Sequence, residues 1–180
     1  MRDTPVKDIE INSKTTLSEL SSQFSDTGGF VASKVSTATS IISDMLNEDC
    51  TKFLSFPADI MATGTRGLIR QFVESDKIDV LVTTCGTLDH DIARVLSDYY
   101  HGDFMMDDKQ LREKGVNRLG NVLVPDDSYG VPIENWIQPI LSELYEKEKR
   151  WAPWKIWNKL GLRLAEEENG SESLLAVCAK

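Results

Sequence analysis

The feature that most constrains the fold of this chain is a short apolar run, Ile78 to Thr84, that ends at a glycine. Its centre, Val80-Leu81-Val82, is apolar at three consecutive positions, as is typical of a parallel strand covered on both faces. Gly86 then ends the run, and apolar residues follow at helical spacing: Leu88, Ile92 and Val95. The segment therefore predicts a buried strand that turns directly into a helix.

The same order of elements precedes this segment. Residues 52–56 indicate a strand stopped by Pro57, and apolar positions between Leu68 and Val73 indicate a helix. Strands that alternate with helices at this spacing predict an α/β fold with a parallel sheet.

The remaining segments are predicted from their apolar spacing. Residues 1–14 are polar and predict an extended arm, and helices are expected over 31–45, 133–144 and 151–164. Residues 101–129 are rich in Gly, Asp and Asn and predict mostly loop, with a strand at 121–124. A last helix, begun at Ser171, normally leads into a further strand in an α/β protein, so the sheet is expected to be incomplete at its carboxyl end.

Composition excludes several classes of protein. A formal net charge of −9 argues against a nucleic-acid partner, because no basic cluster could neutralise phosphates. Three cysteines without CxxC spacing fit a reducing compartment and predict neither a disulfide framework nor a zinc site. No signal peptide or membrane-spanning run is evident, so a cytoplasmic, soluble protein is expected.

Two predicted strand ends, residues 56–64 and 83–91, carry the candidate chemistry. In doubly wound sheets, ligands bind outside the carboxyl ends of the strands. Gly86 would let the backbone approach a phosphate, and the helix behind it would present free N–H groups. The GxGxxG fingerprint is absent. The turn from Thr84 to Thr87 therefore predicts either a nucleotide site or a tight turn with Thr87 or Asp89 as the helix N-cap.

The sequence Asp89-His90-Asp91 places an imidazole between two carboxylates at the start of a helix. The flanking carboxylates are expected to raise the pKa of His90. His90 is therefore a candidate general base or ligand-orienting group, and a surface capping cluster is the alternative. Cys85 lies in the turn, but no base is evident to activate it as a nucleophile.

Several motifs, in order over residues 27–175, resemble the deoxyhypusine synthase family. The strand and turn from Lys77 to Gly86, followed by Asp89 and Asp91, are similar to the family's TTAGG-type segment. The Leu88-Asp89-His90-Asp91 variant looks like archaeal members. Further matching segments are Thr27 to Ala32, Glu113 to Pro125, Trp136, Pro139 to Leu141, Trp151 to Pro153, and Leu160-Gly161.

This resemblance implies a Rossmann-like, doubly wound, mostly parallel sheet, with an arm and first helix over 1–26 and the first half of an NAD-binding domain over 27–180. The family uses NAD to oxidise spermidine and passes the aminobutyl group to a lysine of translation initiation factor 5A, in homotetramers with active sites at dimer interfaces. It places Asp89 and His90 at the polyamine, as substrate-binding residues. The residues implied to contact NAD are Ala58, Asp59, Ile60, Met61, Ala62, Thr84, Cys85, Gly86 and His90.

The resemblance also implies a missing part. The family's catalytic lysine lies beyond the equivalent of Lys180, so no catalytic residue is expected in this chain, apart from a supporting role for His90. The chain is then expected to be inactive alone and to require the carboxyl-terminal half or a full-length paralogue as partner. The alternatives are a homospermidine synthase-like aminobutyltransferase and a non-catalytic regulatory subunit.

Overall fold

The computed structural model describes residues 4–180, so the first three residues of the predicted arm lie outside it. The chain forms two compact units, one ending at Lys52 and the other spanning Phe53–Lys180. The division at residue 26 predicted above follows family motifs and stays a prediction. In residues 4–180, no helix is long and apolar enough to cross a membrane.

The described part of the first unit, residues 4–52, contains two helices, α1 (Leu17–Gln23) and α2 (Ala32–Asn47). The second confirms the helix predicted over 31–45. α1 begins at a capping box, in which the Thr16 hydroxyl accepts from the Glu19 amide and the Glu19 carboxylate accepts from the Thr16 amide. The apolar residues of α2 remain exposed, Val35 at 48% and Ile42 at 55%. The helix is correctly predicted, but its apolar face is not buried.

The second unit begins with a parallel pair of strands, β1 (Phe53–Ser55) and β2 (Val80–Val82). A 3-10 helix (Ala58–Ala62) and α3 (Thr65–Glu74) connect them, and α4 (Gly86–Leu96) follows β2. The α/β prediction is therefore confirmed, with a small parallel sheet. Val82 is 51% exposed, however, so β2 is not covered on both faces as its sequence predicts.

The middle of the chain is more regular than predicted. The strands β3 (Tyr100–His101), β4 (Val116–Leu119) and β5 (Val122–Pro125) form an antiparallel sheet in the order β3-β5-β4. A short helix, α5 (Asp108–Glu113), precedes β4. Only β5 agrees with the strand predicted at 121–124, whereas β4, α5 and the second residue of β3 lie in the segment predicted to be mostly loop.

Three further helices complete the unit: α6 (Gly130–Lys147), α7 (Pro153–Leu164) and α8 (Leu174–Cys178). The final helix begins at Leu174, after a 3-10 turn over Gly170–Glu172, and not at Ser171. It packs against α7 and α3 and buries Leu174, Leu175 and Ala176. The close approach of α7 and α8 requires Gly161, because a Cβ there would lie 2.7 Å from the Ala179 Cβ and would clash with the Leu175 carbonyl.

Candidate functional site

The two predicted strand ends meet at one edge of the parallel sheet. The Phe56 amide donates to the Val82 carbonyl at 3.2 Å, which extends the β1–β2 pairing by one residue. The Thr83 hydroxyl then donates to the Phe56 carbonyl at 2.8 Å and lies 2.6 Å from the Thr87 hydroxyl. These bonds fix the turn after β1 against the turn after β2.

Gly86 is required by protein packing at this edge. A Cβ at residue 86 would lie 2.9 Å from the Ala58 Cβ, closer than real side chains approach. The 3-10 helix thus packs directly on the start of α4. The missing side chain of Gly86 is explained by this contact, whether or not a phosphate also approaches the turn.

The start of α4 has no side-chain cap. Its N-cap is Cys85, which makes no capping hydrogen bond, and Thr87 and Asp89 lie inside the helix. The prediction that Thr87 or Asp89 serves as N-cap is therefore wrong, because the helix begins earlier than its apolar pattern indicates. The Thr84 and Cys85 side chains are exposed at this turn, as is Asp59 in the 3-10 helix.

Arg94 holds the far end of the 3-10 helix. Its Nη1 donates to the Met61 carbonyl at 2.9 Å and to the Thr63 carbonyl at 2.6 Å. Met61 is fully buried and Ala62 is 4% exposed, so neither presents its side chain to a ligand at the surface. Of the predicted cofactor residues, Ala58, Asp59, Ile60, Thr84, Cys85, Gly86 and His90 keep some exposure.

His90 lies between two tyrosines that the sequence did not single out. Its Nδ1 is 2.9 Å from the Tyr99 hydroxyl. The Tyr129 ring lies 5.4 Å from the imidazole, centroid to centroid, and the Tyr129 hydroxyl donates to Asp89 Oδ2 at 3.4 Å. The two phenols and the imidazole therefore form one partly buried group beside an acidic side chain.

Burial lowers the pKa of His90 and outweighs the opposing effects of Asp89 and Asp59, while Arg94 lowers it further. The sequence-based expectation of a raised pKa is therefore wrong. Asp89 does raise the pKa of His90, but the loss of water around the imidazole lowers it by more. Burial likewise raises the pKa of Tyr99 and of Tyr129.

Asp91 is separate from this group. It is 1% exposed and accepts hydrogen bonds from the Ser173 hydroxyl at 2.7 Å, the Leu174 amide at 3.1 Å and the Leu175 amide at 2.9 Å. Arg66 Nη1 lies 3.7 Å from its carboxylate. Asp91 thus anchors the start of α8, and Asp89-His90-Asp91 is not a single cluster.

The site as a whole combines an imidazole whose pKa is lowered by burial, two carboxylates and a helix start without a side-chain cap. Asp59 and Asp89 supply negative charge that would attract a cation, and the amino end of α4 would favour an anion. A cavity of about 290 Å³, lined by Arg94, Tyr99 and Thr63 among others, opens beside the group. In residues 4–180, no His, Cys, Asp and Glu side chains are grouped as a metal site requires.

Comparisons with known proteins agree with this description. The family model "Deoxyhypusine synthase" matches residues 19–180. The probable deoxyhypusine synthase of Picrophilus torridus is 53% identical over 165 residues, which are 92% of this chain and 53% of that protein. That of Thermoplasma volcanium is 52% identical over 176 residues, 98% of this chain and 56% of that protein.

A crystal structure supports the fold. The putative deoxyhypusine synthase of Entamoeba histolytica aligns with a TM-score of 0.61 at 22% identity, over 97% of this chain and 60% of that chain. The chain spans about half the length of the curated relatives it matches. From the family model and the archaeal relatives, we conclude that the chain belongs to the deoxyhypusine synthase family.

Proposed function

We propose that this chain provides the first half of an NAD-dependent deoxyhypusine synthase, which transfers the aminobutyl group of spermidine to a lysine of translation initiation factor 5A. One observation carries this proposal. In a chain of this family, the turns after β1 and β2 are joined at one edge of the sheet, and they bring Asp59, Asp89 and His90 together there. A doubly wound sheet completed by the second half, and a cytoplasmic homo-oligomer, are parts of the same proposal.

The turn after β2 fits NAD. The Thr87 amide donates to the Thr84 carbonyl at 3.0 Å and the Leu88 amide to the Cys85 carbonyl at 2.9 Å, so among the described residues of this first turn the Gly86 amide is the donor left for a phosphate oxygen. Thr84, Cys85 and Gly86 would line the cofactor from β2, and Ala58, Asp59 and Ile60 from β1. Met61 and Ala62 would support this surface from below, because both are buried. NAD, when bound, would accept the hydride removed from spermidine.

The acidic side chains fit the polyamine. Asp89 is partly buried beside Tyr129, and Asp59 is close enough to affect the protonation of His90. A carboxylate in a partly desolvated position attracts an ammonium more strongly than one in open water. A neutral His90 would add no repulsion, because an uncharged ring carries no competing positive charge.

The covalent step is proposed to belong to a lysine outside residues 1–180. An imine-forming lysine needs a pocket that favours its neutral amine. All three candidate lysines are exposed: Lys77 lies between α3 and β2, Lys109 at the start of α5 and Lys155 on α7. Their positions provide no such pocket. This chain covers only about half the length of its archaeal relatives, which supports the proposal that the lysine lies outside residues 1–180.

The test is reconstitution. NADH formation from spermidine and labelling of the translation factor would be measured for the chain alone and with the carboxyl-terminal part of the Picrophilus torridus relative. We expect no turnover alone and turnover in the mixture. In the mixture, Asp89→Asn should raise KM for spermidine about tenfold and change NAD affinity little, because only the cation needs the charge. Asp98→Asn, at an exposed site near the end of α4, is the matched control.

The outcomes separate the alternatives. Turnover by the chain alone would show that its own residues carry the chemistry, with His90 the first to examine. Transfer to putrescine but not to the factor would favour a homospermidine synthase-like activity. A mixture that binds NAD but never turns over would favour a non-catalytic subunit.

A further inference from the structure

His90 could in principle act as a base or as a hydrogen-bond donor, and Tyr99 decides between these roles. A neutral imidazole carries one proton, and the nitrogen without it can only accept. The Tyr99 hydroxyl lies 2.9 Å from Nδ1, so one of the two groups donates to the other.

The phenol is the better donor of the pair. A phenol O–H is a stronger acid than a neutral imidazole N–H, and the unprotonated imidazole nitrogen is a stronger acceptor than a phenol oxygen. Burial raises the pKa of Tyr99, so the hydroxyl keeps its proton. The favoured arrangement has Tyr99 donating to Nδ1, which leaves the single imidazole proton on Nε2.

The surroundings keep the imidazole neutral. The groups that face it are Asp89 and Arg94 on α4, Asp59 on the 3-10 helix, and the two tyrosines, Tyr99 after α4 and Tyr129 before α6. Burial and Arg94 together outweigh the two carboxylates, so the pKa of His90 is lowered. Protonation of the neutral imidazole would also place a proton on Nδ1, and the hydrogen bond that Tyr99 donates to this nitrogen would then be lost.

We infer that Tyr99 is a positioning residue that holds His90 as the neutral Nε2–H tautomer, so that the imidazole donates a hydrogen bond to a ligand oxygen and does not act as a base. The ligand part rests on the proposed function: the acceptor would be a hydroxyl or carbonyl oxygen of NAD. The tautomer itself depends only on the contacts of this chain.

The tautomer can be observed directly by nitrogen NMR of the labelled chain. The chain has only two histidines, so His101→Gln identifies the His90 signals. At pH 7.5 we expect Nε2 of His90 to appear as a protonated, pyrrole-type nitrogen and Nδ1 as an unprotonated, pyridine-type nitrogen. A proton on Nδ1 would overturn the inference, and this measurement needs no variant at Tyr99.

Two tyrosine variants then test the cause. Tyr99→Phe should mix the two tautomers and raise the titration midpoint of His90 by about 0.5–1 pH unit, the effect of one neutral hydrogen bond. Tyr100→Phe is the matched control, because Tyr100 is the next residue and is 53% exposed. A Tyr99→Phe spectrum identical to that of the parent chain would show that Tyr99 does not set the tautomer.

NAD added to the chain reconstituted with the carboxyl-terminal part of the archaeal relative tests the ligand part. Binding should shift the Nε2–H resonance of His90 and leave Nδ1 nearly unchanged. Calorimetrically confirmed binding with Nε2 unmoved would overturn the ligand part. No binding at all would instead contradict the proposed function, while the tautomer measured in the chain alone would still decide the role of Tyr99.

Discussion

Replacing Asp91 with Asn should destabilise the second unit severely. The carboxylate is 1% exposed, accepts three hydrogen bonds at the start of α8 and faces Arg66 at 3.7 Å. Asparagine keeps the size of the side chain and one acceptor oxygen. Its NH2 group, however, is a donor, and it would face an N–H or O–H donor where a carboxylate oxygen accepted before. Arg66 is itself 3% exposed, and within residues 4–180 its Nη1 has no hydrogen-bond partner. Without Asp91, the Arg66 charge would be balanced chiefly by the exposed Glu172 carboxylate.

The magnitude follows from these losses. Breaking a buried ion pair by removing one partner costs about 3–5 kcal/mol, and a hydrogen bond to a charged group contributes about 1.5–3 kcal/mol. Since these terms overlap, we expect the free energy of unfolding to fall by about 3–5 kcal/mol, a large part of a typical total. Urea denaturation followed by circular dichroism measures it, and Asp98→Asn should change the value by less than about 0.5 kcal/mol. A loss below about 1 kcal/mol for Asp91→Asn would refute the reasoning.

Two further predictions use matched pairs. Gly161→Ala should destabilise the chain by about 1–3 kcal/mol, because the new Cβ would clash with the Leu175 carbonyl. Gly67→Ala should stabilise it by about 0.5–1 kcal/mol, because in residues 4–180 a Cβ at this position of α3 would meet no atom within 4 Å beyond its neighbours and the helix's own backbone. Shifts of the urea midpoint in the same direction for both variants would contradict this. The pKa of His90 is lowered, so its contribution to stability should be complete above about pH 6.5 and be lost as the pH falls through the folded-state pKa. Urea midpoints between pH 5 and 8 should therefore depend less on pH in His90→Asn than in His101→Asn, and equal slopes would be the contrary result.

Much of the fold could be predicted because its elements have clear apolar periodicity. The parallel strands, α3, α6 and α7 overlap the segments that their patterns predict, and α4 begins at Gly86, before the first apolar position of its pattern, Leu88. The β4–β5 hairpin was missed although Gly120-Asn121 forms a two-residue connection between paired Leu119 and Val122. Gly120 has φ +61, which suits such a turn, but the surrounding Asp and Asn residues resemble a loop in composition.

The candidate site was predicted only in part. The helical repeat itself could have separated Asp91 from His90, because Asp91 lies next to the apolar Leu88 and Val95 positions on α4. Tyr99 and Tyr129 could not have been found this way. Their contacts with His90 depend on where the chain goes after α4 and before α6, and Tyr100 would have been an equally reasonable choice from sequence alone.

The edge of the parallel sheet divides into residues that hold the turns together and residues that face outward. Thr83, Gly86 and Arg94 hold the turns together. The Thr83 and Arg94 side chains donate to backbone carbonyls, and Gly86 allows close packing. The exposed side chains, Asp59, Thr84 and Cys85, make none of these contacts. Substitutions at the exposed positions can therefore alter charge and shape around His90 without loosening the turns. Under the function proposed above, substitutions at these exposed positions are expected to change ligand preference while the backbone of the turns stays the same.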